Sequence, residues 1–261
     1  MQRSFLPGSI DYDGAMSRDF NCGRALSSDS LAVWHAAFEP YLGRAANVLD
    51  LGSGTGRFST LIADWFDAVV IGVEPARGMR KMAASSGRHP NVFYIAGRGE
   101  QIPLGEKSLA AALLSNVYHH IADKPACASE LRRVLKPGGR VLIRGAFAGR
   151  LGEFTMFDHF PEARAICEQF PTMGETIQTF ANSGFSFETV ERVIQQTCSS
   201  LKQLAARTRL RADTTLAMMT DNEFMSRQAA LERAAANETK PTPVIDTLDL
   251  LVLRKIEGWV R

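Results

Sequence analysis

The segment Val48-Leu49-Asp50-Leu51-Gly52-Ser53-Gly54-Thr55-Gly56-Arg57-Phe58 constrains this chain more than any other. An apolar strand runs straight into three glycines spaced two apart, and a helical pattern follows. Glycine has no Cβ, so the chain can take positive φ there and lay its main chain against a ligand, with the N–H groups of the helix start directed at it. Strand, glycine turn and helix in that order open a βα unit, and a parallel sheet requires several such units in succession.

The chain supplies them. From Asn47 to Ala146 short runs of Val, Ile and Leu alternate with helical spacing, which places strands at Asn47 to Leu51, Val69 to Glu74, Asn91 to Ile95, Leu109 to Ser115 and Arg140 to Gly145. The clearest helix is Lys124 to Leu135, where Ala128, Leu131, Val134 and Leu135 share a face and Lys136-Pro137-Gly138-Gly139 marks a turn. Ahead of the sheet, Leu31, Trp34, Phe38 and Leu42 give Asp29 to Leu42 one apolar face. Beyond Phe147 the pattern lapses: Gly149 to Pro171 carries Phe154, Phe157 and Phe160 among charges and reads as a cap. A helix at Met173 to Ser183, a strand at Phe185 to Ile194, a helical stretch at Leu201 to Ala236 and a strand at Leu248 to Arg254 complete the chain.

Composition narrows the partners. With 261 residues there is ample length for a buried core, and 30 basic against 28 acidic side chains leave a formal charge of +2, too little to hold a polyanion. Nucleic acid is therefore not expected as a partner. Cys22, Cys127, Cys167 and Cys198 show neither metal-ligand spacing nor a disulfide framework, so they read as buried or inert thiols in a reducing compartment, and no metal is expected. No apolar run approaches a membrane span, and Pro7, Gly8, Asp11 and Asp13 stand where a leader would be apolar. These features together point to a cytoplasmic enzyme or binding protein.

The glycine spacing also discriminates between ligands. A dinucleotide fingerprint is GxGxxG, whereas this loop is GxGxG with Asp50 two residues ahead of the first glycine. A carboxylate at that strand end attracts a cationic amino group and repels a pyrophosphate, so the expected ligand is an amino acid joined to a nucleoside. Glu74 ends the second strand about twenty residues after the loop, where its two oxygens can accept both hydroxyls of a ribose. Taken singly, a glycine turn also serves strand–helix packing and an acid at a strand end also caps a helix. The two signals together favour a ligand.

Five segments in order, VLDLGSGTGRF at 48 to 58, GVEPARGM at 72 to 79, GRGEQIPL at 97 to 104, SNVYHHI at 115 to 121 and ELRRVLKPGGRVLI at 130 to 143, resemble the class I S-adenosylmethionine-dependent methyltransferases, in particular the ubiquinone-type subgroup. The resemblance implies an α/β fold: a Rossmann-like, seven-stranded, mostly parallel sheet with the last strand antiparallel, an N-terminal lid and helical cap insertions. Within one structural domain it implies an N-terminal helical lid at 1–46, a cofactor-binding core at 47–146, a cap and helix at 147–184, and C-terminal strands with a helical substrate cap at 185–261. S-adenosyl-L-methionine is the implied cofactor. Asp50 and Gly52 would hold its amino group, Ser53, Gly54 and Gly56 complete the loop, Glu74 would hold the ribose, and Pro75, Ala76 and Met79 would line the adenosine, with Ser115 at the end of the fourth strand. One position departs from the pattern: Gly97-Arg98-Gly99-Glu100 has an Arg where the family usually has the acid that reads adenine. Main-chain groups at Arg98 and Gly99, or Glu100 as replacement acid, are the substitutes.

A sulfonium already activates its methyl group, so the protein mainly aligns an acceptor, and no metal is required. Tyr118, His119 and His120 follow the fourth strand and are the candidate catalytic residues; the alternative is that they only orient the loop. Asp11-Tyr12-Asp13 and the stretch from Arg18 to Arg24 resemble a segment that folds over the cofactor, with Tyr12 and Phe20 as lid aromatics or as simple staples. Phe20, Arg24, Phe147, Phe154 and Phe157 are the candidate substrate contacts, which favours an apolar or aromatic small-molecule acceptor of the kind found in secondary metabolism. Arg207, Arg209 and Arg211 fan around a helix and read as solvated charges, with a carboxylate-bearing acceptor as the lesser option. Another use of the same cofactor, a catalytically silent cofactor-binding subunit and a nicotinamide oxidoreductase are the competing classes, the last disfavoured by the glycine spacing.

Overall fold

The computed structural model describes residues 10–44, 46–86 and 88–259. The expectation that residues 1–9 are not a leader lies outside the described residues. Seven strands, β1 (Asn47–Leu51), β2 (Val69–Val73), β3 (Val92–Ile95), β4 (Leu109–Ser115), β5 (Leu135–Gly145), β6 (Phe185–Cys198) and β7 (Val244–Lys255), form one sheet in the order β3-β2-β1-β4-β5-β7-β6. Neighbours from β3 to β5 are parallel, and β7 runs antiparallel to both β5 and β6. This is the Rossmann-like, mostly parallel sheet with its last strand reversed. Chain order changes direction between β1 and β4, and the carboxyl ends of such a pair open a crevice for a ligand.

Both sheet faces are covered, which is why the central strands are apolar throughout. Helices α1 (Ala15–Gly23), α2 (Ser28–Leu42), α3 (Arg57–Phe66), α4 (Arg77–Ser86) and α5 (Lys124–Val134) belong to the N-terminal half. Trp34 and Phe38 of α2 with Phe58 and Ile62 of α3 pack on Val48, Leu113, Leu142 and Val252; Leu131 of α5 packs on Leu49, Leu114, Ile143 and Leu253 across the sheet. Successive residues of one strand thus enter opposite cores, as the pleat requires. Helices α6 (Thr155–His159), α7 (Pro161–Cys167), α8 (Met173–Ala181), α9 (Leu201–Thr208), α10 (Thr214–Met218) and α11 (Asp221–Ala236) follow. A third cluster, with Phe157, Phe160, Phe170, Leu204, Leu216, Phe224 and Leu231, joins α6, α7, α9, α10 and α11 into a cap.

Three details differ from the sequence expectations. The helical stretch at 201–236 is three helices: Arg211 takes φ 44°, the Asp213 carboxylate accepts from Thr215 N–H at 2.9 Å to start α10, and Thr220 with Glu223 forms a capping box on α11. The expected turn at Lys136–Gly139 lies inside β5, because Leu135 pairs with Leu109 and Arg140 with Ala111, leaving the residues between as a bulge with Gly138 at φ 70°. Strands β6 and β7 also run further than their apolar alternation, to Cys198 and from Val244, and the added residues reach the site described next. Among the thiols, Cys22 is exposed while the other three are buried.

Candidate functional site

A cavity of about 720 Å³ opens at the carboxyl ends of β1, β2, β4 and β5, between the glycine loop, the N-terminal segment and the cap. Its size falls within the ~300–1,000 Å³ usual for small-molecule sites. Gly52, Gly54 and Gly56 all have left-handed backbone, at φ 69°, 55° and 79°. Their surroundings differ. A Cβ on Gly52 would overlap Val117 and one on Gly56 would overlap Tyr94, whereas nothing lies within 4 Å of a Cβ on Gly54. Gly52 and Gly54 line the cavity, and Gly56 serves the turn behind it.

Asp50 ends β1 at 2% exposure, with its carboxylate accepting from Ser59 Oγ at 2.6 Å. Burial pushes its pKa up to about 6, against the hydrogen bond from Ser59. Glu74 is 6% exposed, and its Oε1 and Oε2 accept from Ala76 N–H at 2.8 Å and Gly54 N–H at 3.0 Å. Burial raises its pKa too, while those two donors oppose the shift. Each carboxylate oxygen has two lone pairs, so both keep one for a ligand. Ser53, Pro75, Ala76, Met79, Arg98, Gly99, Glu100 and Ser115 also line the cavity, although Glu100 Oε1 is turned to the main-chain N–H groups of Ala122 and Asp123 at 3.0 and 3.3 Å.

The N-terminal segment is tied across this site. Asp13 accepts from Gly78 N–H, and Thr55 Oγ1 donates to Asn21 Oδ1 at the glycine loop. Tyr12 Oη lies 3.0 Å from His120 Nε2 and 2.8 Å from Thr214 Oγ1, so three segments meet at one hydroxyl. Burial carries its pKa up to about 12. His119 stacks on Phe170 with centroids 4.1 Å apart, and His120 lies edge-on to Tyr12. Desolvation lowers both imidazoles, His120 to about 4 and His119 well below its ordinary value, so both are neutral at pH 7.

Besides Gly56, two candidates lie outside the cavity. Tyr118 turns into the core beneath the sheet, 5.9 Å from Phe180, because the short 3₁₀ turn at Tyr118–His120 sends successive side chains in different directions. Phe147 is buried in the same core. Phe20, Arg24, Phe154 and Phe157 do line the cavity.

Much of the polar wall is charged. Arg24, a candidate substrate contact, pairs with Asp213, and Arg207, read as solvated, is instead drawn inward, where it donates to the carbonyls of Gly23 and Thr197. Arg209 is exposed and pairs with Glu232, whereas Arg211 is half-buried, pairing with Asp221 and donating to the carbonyls of Leu216 and Met219. Arg57, Arg144, Gln195, Asp246 and Thr214 complete the polar wall. An arginine inside the apolar strand Val141–Gly145 was the available signal for Arg144, since a charge there is rarely buried without a purpose.

Residues 49–143 match the methyltransferase domain family. An uncharacterized methyltransferase from Mycobacteroides abscessus is 34% identical over 132 residues, covering 47% of this chain and 49% of that protein. Demethylmenaquinone methyltransferase from Corynebacterium kroppenstedtii is 38% identical over 96 residues, covering 37% and 40%. This chain therefore spans about half the length of these curated relatives or less. A crystal structure of a methyltransferase assigned to an antibiotic biosynthesis pathway in Anabaena variabilis superposes with TM-score 0.72 at 16% identity, over 88% of this chain and all of that one. Residues 49–143 are thus similar in sequence to the methyltransferase domain family, within a fold that the Anabaena variabilis structure shares.

Proposed function

We propose that the chain transfers a methyl group from S-adenosylmethionine to a small organic acceptor with an apolar or aromatic body. The observation that carries this reading is the continuity of one cavity, from the glycine loop and Glu74 to Phe154, Phe157 and Phe170 of the cap, so that donor and acceptor share a single enclosure. The residues present fit the donor. Space lies beyond Gly54, Glu74 keeps free lone pairs on both oxygens, and Asp50 is a buried acid beside them. When bound, the donor supplies a methyl group on a sulfonium, whose carbon–sulfur bond breaks with its electron pair passing to sulfur as the acceptor's lone pair takes the methyl.

Asp50 attracts the ammonium group, Glu74 accepts from the ribose hydroxyls, and Pro75, Ala76 and Met79 flank the adenosine. The main chain of Arg98 and Gly99 faces the base. Tyr12 and Phe20 cover the donor and exclude water. With a pKa near 4, His120 is a weak proton acceptor at neutral pH. The histidine pair therefore serves to hold the lid and orient the acceptor, and an acceptor that needs little help losing a proton suits the site. Calorimetry with S-adenosylhomocysteine, followed by tritium transfer from labelled donor into a panel of small metabolites, tests the reading. Binding together with a labelled product is expected, and absence of binding sinks it.

A further inference from the structure

Arg144 lies on β5 at 1% exposure and forms part of the cavity wall. Its surroundings hold it still. Nη2 donates to Gln195 Oε1 at 2.8 Å and Nη1 to Ser115 Oγ at 3.3 Å, while the guanidinium carbon stands 4.2 Å from the Trp34 ring centroid and 5.0 Å from that of Phe58. Gln195 is fixed in turn, accepting from Trp34 Nε1 at 2.7 Å. With its amide oxygen turned toward the arginines, Asn116 accepts from Arg144 Nη1 at 2.9 Å and from Arg24 Nη2 at 3.2 Å.

All of these partners are neutral. Among the described residues Arg144 belongs to no ion pair, and its Nε is buried without a hydrogen-bond partner. Arg24 has Asp213, and Arg207 has two carbonyl oxygens. Asp246 is the acid closest to Arg144 in electrostatic effect, reaching it through Gln195, whose Nε2 donates to Asp246 Oδ2 at 3.5 Å. A buried cation without a carboxylate is strongly unfavourable, and an orphaned buried donor requires a reason. A fixed guanidinium in a cavity wall meets both conditions when an anion arrives with the ligand.

The cavity offers two sources for that anion, the donor's amino-acid end and the acceptor. Arg57 opens α3 at the glycine loop, beside Asp50, and so stands on the donor's side. Arg144 stands two strands away from β1, with β4 between them, and is hydrogen-bonded to Gln195 of β6, on the side of the antiparallel strands; Phe154 and Leu248 line the same cavity. Building on the methyltransferase reading above, we propose that the acceptor carries a carboxylate-type anionic group that seats on Arg144, with its apolar body along Phe154, Phe157, Leu204 and Leu248. The anion is an anchor, and the methylated atom is a separate group of the same molecule.

The test uses the full chain loaded with S-adenosylhomocysteine and a series of probes in matched pairs: benzoate, phenylacetate and cinnamate against their uncharged amides, titrated by calorimetry. Tighter binding of at least one carboxylate, tenfold or more over its amide, is expected. That preference should vanish in Arg144→Met and return in part in Arg144→Lys, with the affinity for S-adenosylhomocysteine unchanged in both. Equal binding of every pair by the loaded wild type overturns the proposal while leaving the methyltransferase reading intact. So does a preference that survives Arg144→Met and disappears in Arg57→Met. Failure of wild type to bind S-adenosylhomocysteine removes both. If Arg144→Met does not fold, the wild-type comparison with Arg144→Lys still decides, because a lysine keeps charge but loses the forked geometry and should weaken the preference.

Discussion

At the scale of single residues, the three loop glycines separate into distinct physical roles. Gly52 and Gly56 are excluded from having a side chain by Val117 and Tyr94, whereas Gly54 faces open space that a ligand would fill. Gly54→Val should therefore abolish binding of S-adenosylhomocysteine in calorimetry, because a β-branched side chain both fills that space and strains the backbone at φ 55°; Gly54→Ala, with less of both, should weaken it less. Glu74→Ala removes a buried acceptor; at ~1.5–3 kcal/mol for charged hydrogen bonds, affinity should fall roughly 10–100-fold. Asp50 predicts a pH dependence. Its carboxyl in the free protein titrates near 6, and only the ionised form attracts an ammonium group. Affinity should be level above that pH and fall about tenfold per unit below it, since one proton must then be displaced. An Asp50→Asn variant should bind weakly at every pH, and an unchanged profile in that variant would assign the dependence elsewhere.

At the scale of elements, the N-terminal segment is the part most sensitive to small changes. It is held over the site by a few polar ties, Asp13 to Gly78, Asn21 to Thr55, Arg24 to Asp213 and Tyr12 to His120 and Thr214, rather than by a broad apolar face. Such segments open at low free-energy cost compared with a core strand. Removing the Tyr12 hydroxyl in Tyr12→Phe takes away both of its ties, each worth about 0.5–1.5 kcal/mol. Amide exchange in residues 11–24 should then quicken roughly 10-fold or more, with β1 and β4 unaffected. Saturation with S-adenosylhomocysteine should slow exchange in the same segment, because the ligand and the lid close on each other.

At the scale of the whole molecule, stability resides in the two-sided sheet, and its titrating groups pull in opposite directions. His120 is depressed to about 4 in the folded chain, so the unfolded chain binds more protons between about 6.5 and 4 and the contribution of this group is lost as pH falls through that window. Asp50 and Asp246 are raised to about 6, so the folded chain binds more protons between about 4 and 6, and their contribution is lost as pH rises. His120→Asn should accordingly shift the stability optimum toward lower pH in denaturant titrations at pH 4.5 and 7. Leu251, fully buried where β5, β7 and β6 meet, should cost about 2–5 kcal/mol as Leu251→Ala. Ligand at a hundred times its dissociation constant should return ~2.7 kcal/mol by mass action in either variant that keeps the site.

The strand and loop at 48–58, the acid at 74 and the alternating βα pattern were legible along the chain because each is a local rule: pleat period, φ preference, carboxylate at a strand end. The number of strands and the reversed last one followed from the family resemblance that those segments carry, while their order in the sheet came from the structure. What only the tertiary structure decided was which side chains share the cavity. Tyr118 left it because the 3₁₀ turn aims it into the core, where Phe147, just beyond the end of β5, is also buried. Arg57, Arg144, Arg207, Gln195 and Asp246 entered it from five separate elements, brought together by contacts between residues far apart in sequence. Whether a charge is solvated or buried depends on what packs over it, and that is a property of the assembled layers, not of the residues beside it in the chain.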